Sequence, residues 1–190
     1  MDLEIKPVDK AFYEKHLDYL PARMIDIHTH VLLRAHRQQS PVERRGPTWP
    51  GRVAAENPIE DLLATYRLMF PRQTVTPVIF GPATQEYDLD ASNRYVSQTA
   101  GEHRLPSLVV TTPAWSAAEL EGRVVGGGFL GLKPYLEWAP PHIPSDDITI
   151  FDFLPREHLA VADAHGWIVM LHIPRRGRLR DPLNLEMMLE

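Results

Sequence analysis

The chain has 190 residues, 44% of them hydrophobic and 24% charged, which suits one folded domain with a real core and excludes a disordered chain. A net charge of −5, with no basic run interleaved with aromatics, argues against a nucleic-acid partner. No stretch is long enough to span a membrane and no signal peptide opens the chain, so no membrane partner and a cytoplasmic location are expected.

Asp9 to Leu20 reads as a short helix, with Asp9 as N-cap, Tyr13, Leu17 and Leu20 on one stripe, and Pro21 as its stop. Residues 1–23 form an N-terminal helical segment, and 24–190 carry the strand and helix units. Met24 to Val31 alternates strictly, so a strand here puts Met24, Asp26, His28 and His30 on one face and Ile25, Ile27, Thr29 and Val31 on the other. Leu32 to Glu56 follows as a long loop carrying Arg34, Arg37, Arg44, Arg45 and Arg52. Asn57-Pro58-Ile59-Glu60 is a helix start with Asn57 as cap, and Ile59, Leu62, Leu63, Tyr66 and Phe70 continue as a stripe.

Thr74 to Phe80 is the second strand, Asp90 to His103 a helix, and Leu105 to Thr112 the third strand. Ser116-Ala-Ala-Glu119 opens a helix that Gly126 to Gly128 end, and Phe129 to Leu136 is strand four. A Pro-rich loop over Glu137 to Leu154 precedes a helix from Pro155 to Gly166. Trp167 to Ile173 is strand five, and Asp181-Pro182 starts a last helix whose apolar pattern still runs at Glu190. This order implies parallel strands with right-handed crossovers. The long strand-to-helix links then lie at the strands' C-terminal ends, together with His28, His30 and His172.

Chemistry concentrates at that face. With no cysteine in the chain, His, Asp, Glu and Lys are the candidate ligands and catalysts. His28 and His30, two residues apart on a strand, suit one divalent ion, zinc first and manganese or iron as alternatives; the competing reading is a half-exposed strand with two surface histidines. His172 ends strand five as a third ligand, or else is a core histidine bonded to backbone. Asp26 either orients a ligand imidazole or is a packed acid. Lys133 points inward if the outer faces pack on helices, with Gly131 leaving room for its stem; an inverted strand four would place it elsewhere. The other histidines lie on predicted helices or loops, and all but His36 and His142, namely His16, His103, His158 and His165, read as surface residues.

Arg34, Arg37, Arg44, Arg45 and Arg52 follow strand one, and Arg175, Arg176, Arg178 and Arg180 follow strand five. A planar guanidinium holds carboxylate bidentately, so a small anionic substrate is the expected partner, with Arg34 and Arg175 as its contacts; a homo-oligomer is also compatible.

Met24-Ile-Asp-Ile-His28-Thr-His30, Gly128-Phe-Leu-Gly-Leu-Lys133-Pro-Tyr and Val169-Met-Leu-His172, in this order, resemble the amidohydrolase superfamily. Within it they resemble the amidohydrolase-related group that includes aminocarboxymuconate-semialdehyde decarboxylase, aromatic-acid decarboxylases and lactone hydrolases. The resemblance implies an α/β fold of (β/α)8 TIM-barrel type and one divalent metal, usually zinc. The ion would be held by His28, His30 and His172 with an eighth-strand Asp, and a sixth-strand His would assist. It also implies hydrolysis of a lactone or cyclic amide, or non-oxidative decarboxylation, with Lys133 either carboxylated between two metals, as in binuclear relatives, or in contact with substrate. A full barrel takes about 250 residues, and about five of its eight strand-helix units are present here. The chain is therefore expected to be the N-terminal part of a longer protein; an inactive fragment or binding module is the reading from another class.

Overall fold

A computed structural model describes residues 5–40 and 54–190. The elements alternate as read: α1 Pro7–His16, β1 Arg23–His30, α2 Ile59–Met69, β2 Thr74–Phe80, α3 Leu89–His103, β3 Val109–Val110, α4 Ala117–Gly127, β4 Gly131–Lys133, α5 Arg156–His165, β5 Ile168–Val169 and α6 Pro182–Leu189. β1 pairs with β2, and β3, β4 and β5 form a second sheet, every pair parallel. A parallel bridge between Ile79 and Ser107 joins them, with the Ile79 N–H donating to Pro106 O and the Leu108 N–H to Ile79 O, both at 3.0 Å. The strands thus follow one another in chain order, in an α/β architecture whose sheet is not closed among the described residues.

The helix boundaries follow local chemistry. Asp88 caps α3 by accepting from Ala91 N, Ser116 caps α4 by accepting from Glu119 N, and Gly128 and Gly166 end α4 and α5 with φ of 66° and 64°. Two expected caps are not used. α1 opens at Pro7 rather than Asp9, because proline suits the first turn. Asn57 turns its side chain to the His30 carbonyl instead, donating at 2.8 Å, and the first helical N–H, of Ile59, is taken by the Tyr95 hydroxyl.

The three last strands are shorter than their apolar runs. Pro106 and Pro134 flank β3 and β4 and have no N–H to donate, so the ladders stop there. Pairing continues outside the formal strands through Leu130 N to Ser107 O and Met170 N to Leu132 O. Asn93 of α3 locks the sheet by exchanging two bonds with the Val110 backbone, at 2.9 and 3.0 Å.

The core lies between the strands and helices α3 to α5, around Ile79, Leu108, Leu120, Val124 and Leu132. The 137–154 loop adds Ile148, Ile150, Phe153 and Leu154, all buried, so it is part of the core. His158, expected on the surface, is fully buried with Nε2 2.8 Å from Trp115 O: it stands in register with Leu154 and Ala162 on the inward face of α5. Both edge strands leave apolar residues uncovered among the described residues. Ile25 and Ile27 of β1 are 68% and 66% exposed and Ile168 of β5 is 53% exposed. Of the apolar residues that alternation assigns to that face of β1, only Thr29 and the following Val31 are buried. No described helix is long and apolar enough to cross a membrane.

Gly131 is required by the sheet and not, as the sequence suggested, by the Lys133 stem. A Cβ there would lie 1.9 Å from Ile168 O and 2.6 Å from Ile168 N. Gly131→Ala must push β5 away and should destabilise the protein by about 3 kcal/mol, at or above the upper end of overpacking costs, in urea unfolding. An alanine variant within about 0.5 kcal/mol of wild type, the ordinary range of surface changes, would refute this close approach.

Candidate active site

The C-terminal end of β1 is shaped by a register shift. Asp26 pairs with Pro77 and Thr29 with Ile79, so Ile27 and His28 together oppose Val78. Pro77 has no N–H, and a bulge beside it relieves the ladder. Asp26 stabilises the bulge: Oδ1 accepts the His28 N–H at 3.1 Å and Oδ2 accepts the Tyr66 hydroxyl at 2.7 Å. The same hydroxyl lies 3.2 Å from Thr29 Oγ1. Asp26 and Thr29, placed on opposite faces by strict alternation, thus share one partner. The carboxylate holds backbone and Tyr66 rather than an imidazole ring. Burial pushes the Tyr66 phenol up to about 12, with Thr29 opposing and Asp26 adding to the shift.

His28 and His30 remain neighbours, with ring centroids 5.4 Å apart, and both lie edge-on to Phe80 at 5.2 and 4.5 Å. His30 Nδ1 is 2.9 Å from Gly81 O, a carbonyl that only accepts, so Nδ1 carries the proton and Nε2 keeps its lone pair. Burial brings His30 down to about 4. Burial first, then the Lys133 ammonium, also lowers His28.

Lys133 does point inward. It is 1% exposed, and its ammonium lies 5.4 Å from the Phe80 ring and 5.6 Å from the Tyr135 ring. Tyr135 in turn stands 4.3 Å from His172. Burial, followed by Lys133, Arg178 and His28, lowers His172 to about 4. One run of contacts therefore links His28 and His30 through Phe80, Lys133 and Tyr135 to His172, and all three imidazoles are neutral at pH 7.

Neutral imidazole with a free lone pair is the donor chemistry a divalent cation requires, and His30 is already fixed in the ligating tautomer. The residues fit such an ion in kind. Among the described residues, however, no three His, Asp or Glu side chains converge closely enough to hold one.

The arginines divide into two groups. Arg34 is exposed on a single 3-10 turn, Arg34–His36, and Arg37 pairs with Glu86 at 3.9 Å. Arg44, Arg45 and Arg52 lie outside the described residues. Arg175 Nε donates to Asp181 Oδ2 at 2.6 Å, and the same Asp181 caps α6. Arg176 is paired with Asp146. Arg178 makes no ion pair among the described residues and is the one arginine that depresses His172. Its loop is held by Asn184, fully buried, whose Nδ2 donates to both Pro174 O and Arg178 O at 2.9 Å. Sequence reasoning missed Asn184, Tyr66 and Phe80; the nearest signal for Asn184 was its place one turn after the Asp181-Pro182 helix start. His36 is partly buried against Tyr95, and His142 is exposed.

A family model described as Amidohydrolase matches residues 25–190. The chain belongs to the amidohydrolase family. No curated protein and no solved structure matches it. The matched region runs from β1 to α6 and includes every residue of the contact run above. Membership makes the chain enzyme-like, of hydrolase type, in a family that generally binds divalent metals.

Two outcomes follow from this geometry. Tyr66→Phe removes a bond to a carboxylate and should cost about 1.5 kcal/mol in urea unfolding, with faster hydrogen exchange at the His28 amide; unchanged exchange would show that the hydroxyl does not hold the bulge. Because His30 and His172 have lowered folded-state pKa values, the unfolded chain binds more protons between about 4 and 6.5. Stability should therefore fall as pH drops through that window, and less steeply in His30→Asn. Equal slopes in the two proteins would rule out a buried neutral His30.

Proposed function

We propose that this amidohydrolase-family chain is a metal-dependent hydrolase of a small carboxylated substrate, a lactone or cyclic amide, with one divalent ion, zinc first, held by His28, His30 and His172. The observation that carries this reading is the set of three neutral imidazoles linked through Phe80, Lys133 and Tyr135. Parallel strands in chain order, with apolar residues uncovered on both edge strands, support five units of a (β/α)8 barrel that further strands would close. The motifs around His28, Lys133 and His172 support the amidohydrolase-related group within the family.

A bound divalent ion would supply Lewis acidity and acidify a water. The chain's own residues do the rest. His30 presents Nε2 because Gly81 O fixes its Nδ1 proton, and Phe80 shields the base of the site from water. Arg34 and Arg178, without ion pairs among the described residues, are the rim cations suited to drawing an anionic substrate inward. Arg175, engaged by Asp181, shapes the rim.

Elemental analysis tests the metal centre. Wild type should carry about one zinc per chain, with affinity falling by tenfold or more (about 1.4 kcal/mol or more) in His28→Ala and His172→Ala. Zinc retained equally by both variants, or absent from wild type, would overturn the centre. Product analysis on lactones then separates hydrolysis from non-oxidative decarboxylation, which releases carbon dioxide.

A further inference from the structure

The register shift in β1 decides which side of the sheet His28 faces. In a parallel pair, residues in register stand on one face, and a slip of one residue exchanges the faces. Asp26 is in register with Pro77 and Thr29 with Ile79, and Pro77 and Ile79 are two residues apart, so Asp26 and Thr29 share a face. Tyr66 of α2 bears this out, because its hydroxyl meets both, at 2.7 and 3.2 Å. Alternation running on from Asp26 would keep His28 on this helix side. The slip turns it to the other side, where its ring and that of His30 lie edge-on to Phe80.

The slack of the extra residue is confined to Ile27 and His28, because both flanks are anchored. Upstream, the Thr74 N–H donates to Ala22 O at 2.8 Å and Gln73 Nε2 to Leu17 O at 2.9 Å, with Leu17 buried. Downstream, Val31 is buried and its N–H donates to Phe80 O, while His30 is held at its Nδ1 by Gly81 O and at its carbonyl by Asn57. Between these anchors apolar packing gives little hold, since Ile27 is 66% exposed, and an exposed stretch of strand specifies its register weakly. Asp26 spans that gap. Its Oδ1 accepts the His28 N–H, and its Oδ2 accepts the Tyr66 hydroxyl that also meets Thr29.

We propose that Asp26, braced by Tyr66, is the positioning residue for His28: it holds the slip that turns the His28 ring toward Phe80 and His30, so that both imidazoles face one site. That this site holds an ion rests on the metal-dependent reading above; the orientation of the His28 ring does not. His30, anchored independently, keeps its place when the Asp26 carboxylate is removed.

The test compares Asp26→Ala with Asp26→Asn, whose side-chain oxygen still accepts the His28 N–H and whose amide still reaches the Tyr66 oxygen. Ring contacts are read as nuclear Overhauser effects from the His28 and His30 imidazole protons to Phe80 in the metal-free chain, and zinc affinity by chelator competition on the same samples. Asp26→Ala should lose the His28–Phe80 contact and keep the His30–Phe80 contact, with zinc affinity down roughly tenfold or more. Asp26→Asn should keep both contacts and stay within about threefold of wild type in affinity. A residue that merely stabilised the fold would weaken both ring contacts together, and one acting through its charge would make the two variants alike. Should Asp26→Ala fail to fold, Tyr66→Phe carries the comparison, with a smaller loss at His28 and none at His30.

An unchanged His28–Phe80 contact in Asp26→Ala, equal losses at His28 and His30, or zinc bound equally tightly by wild type and Asp26→Ala would each overturn the proposal. Wild type that binds no zinc, with the His28 contact still lost in Asp26→Ala, would remove the metal reading and leave the positioning of His28 standing.

Discussion

The packing of Phe80 is the contact on which the site depends. Its ring is fully buried at the end of β2 and touches His28, His30 and Lys133, which come from strands on either side. Its carbonyl accepts the Val31 N–H at 3.0 Å, so the backbone that carries the ring also fixes the strand that carries the histidines. Packing of this kind has no direction of its own, but a rigid ring between three polar groups keeps water from reaching their inner sides. Burial is the first cause of the lowered pKa values at His28, His30, His172 and Lys133. Burial leaves the imidazoles neutral, in the state that binds cations. At Lys133, which burial lowers to about 8, most of the charge survives at pH 7.

Around that ring the chain uses backbone partners to set orientation. Gly81 O selects the His30 tautomer, Asn57 holds the His30 carbonyl, and Asp26 with Tyr66 holds the bulge beside His28. On the far edge Asn184 and the Arg175–Asp181 pair hold the loop after β5, where Arg175 and Arg178 adopt φ of 62° and 48°. Two non-glycine residues in the left-handed region within four positions store strain, and the buried Asn184 bonds maintain it. Each end of the sheet thus has a separate clasp, and Lys133 with its rings lies between them.

What the sequence disclosed is what is locally encoded. Strand order, the Ser116 and Asp181 caps, the Gly128 and Gly166 stops and the inward Lys133 all follow from neighbours a few residues away. The misses are tertiary. Asn57 has the right spacing to cap α2, but the His30 carbonyl competes for its side chain and prevails. Alternation along β1 fails at Ile27 and His28 because the partner strand carries Pro77, a signal in a different segment. The buried His158 was readable in principle, since Leu154, His158 and Ala162 fall at helical spacing, yet an imidazole on that stripe carries no sign of whether it faces core or water.

The same topology explains why His28, His30 and His172 do not form one metal-holding group among the described residues. His28 and His30 stand on β1 and His172 follows β5, the two edges of the sheet, with three strands between them. Five strands spaced about 4.8 Å apart would span roughly 19 Å if flat. Side chains bridge that span, from His28 through Phe80, Lys133 and Tyr135 to His172. In an open curved sheet the spacing of the edges is the softest dimension, because no ladder crosses the gap. Exposed Ile25, Ile27 and Ile168 lie on those edges. Contacts that cover these isoleucines would therefore also fix the distance from His28 to His172.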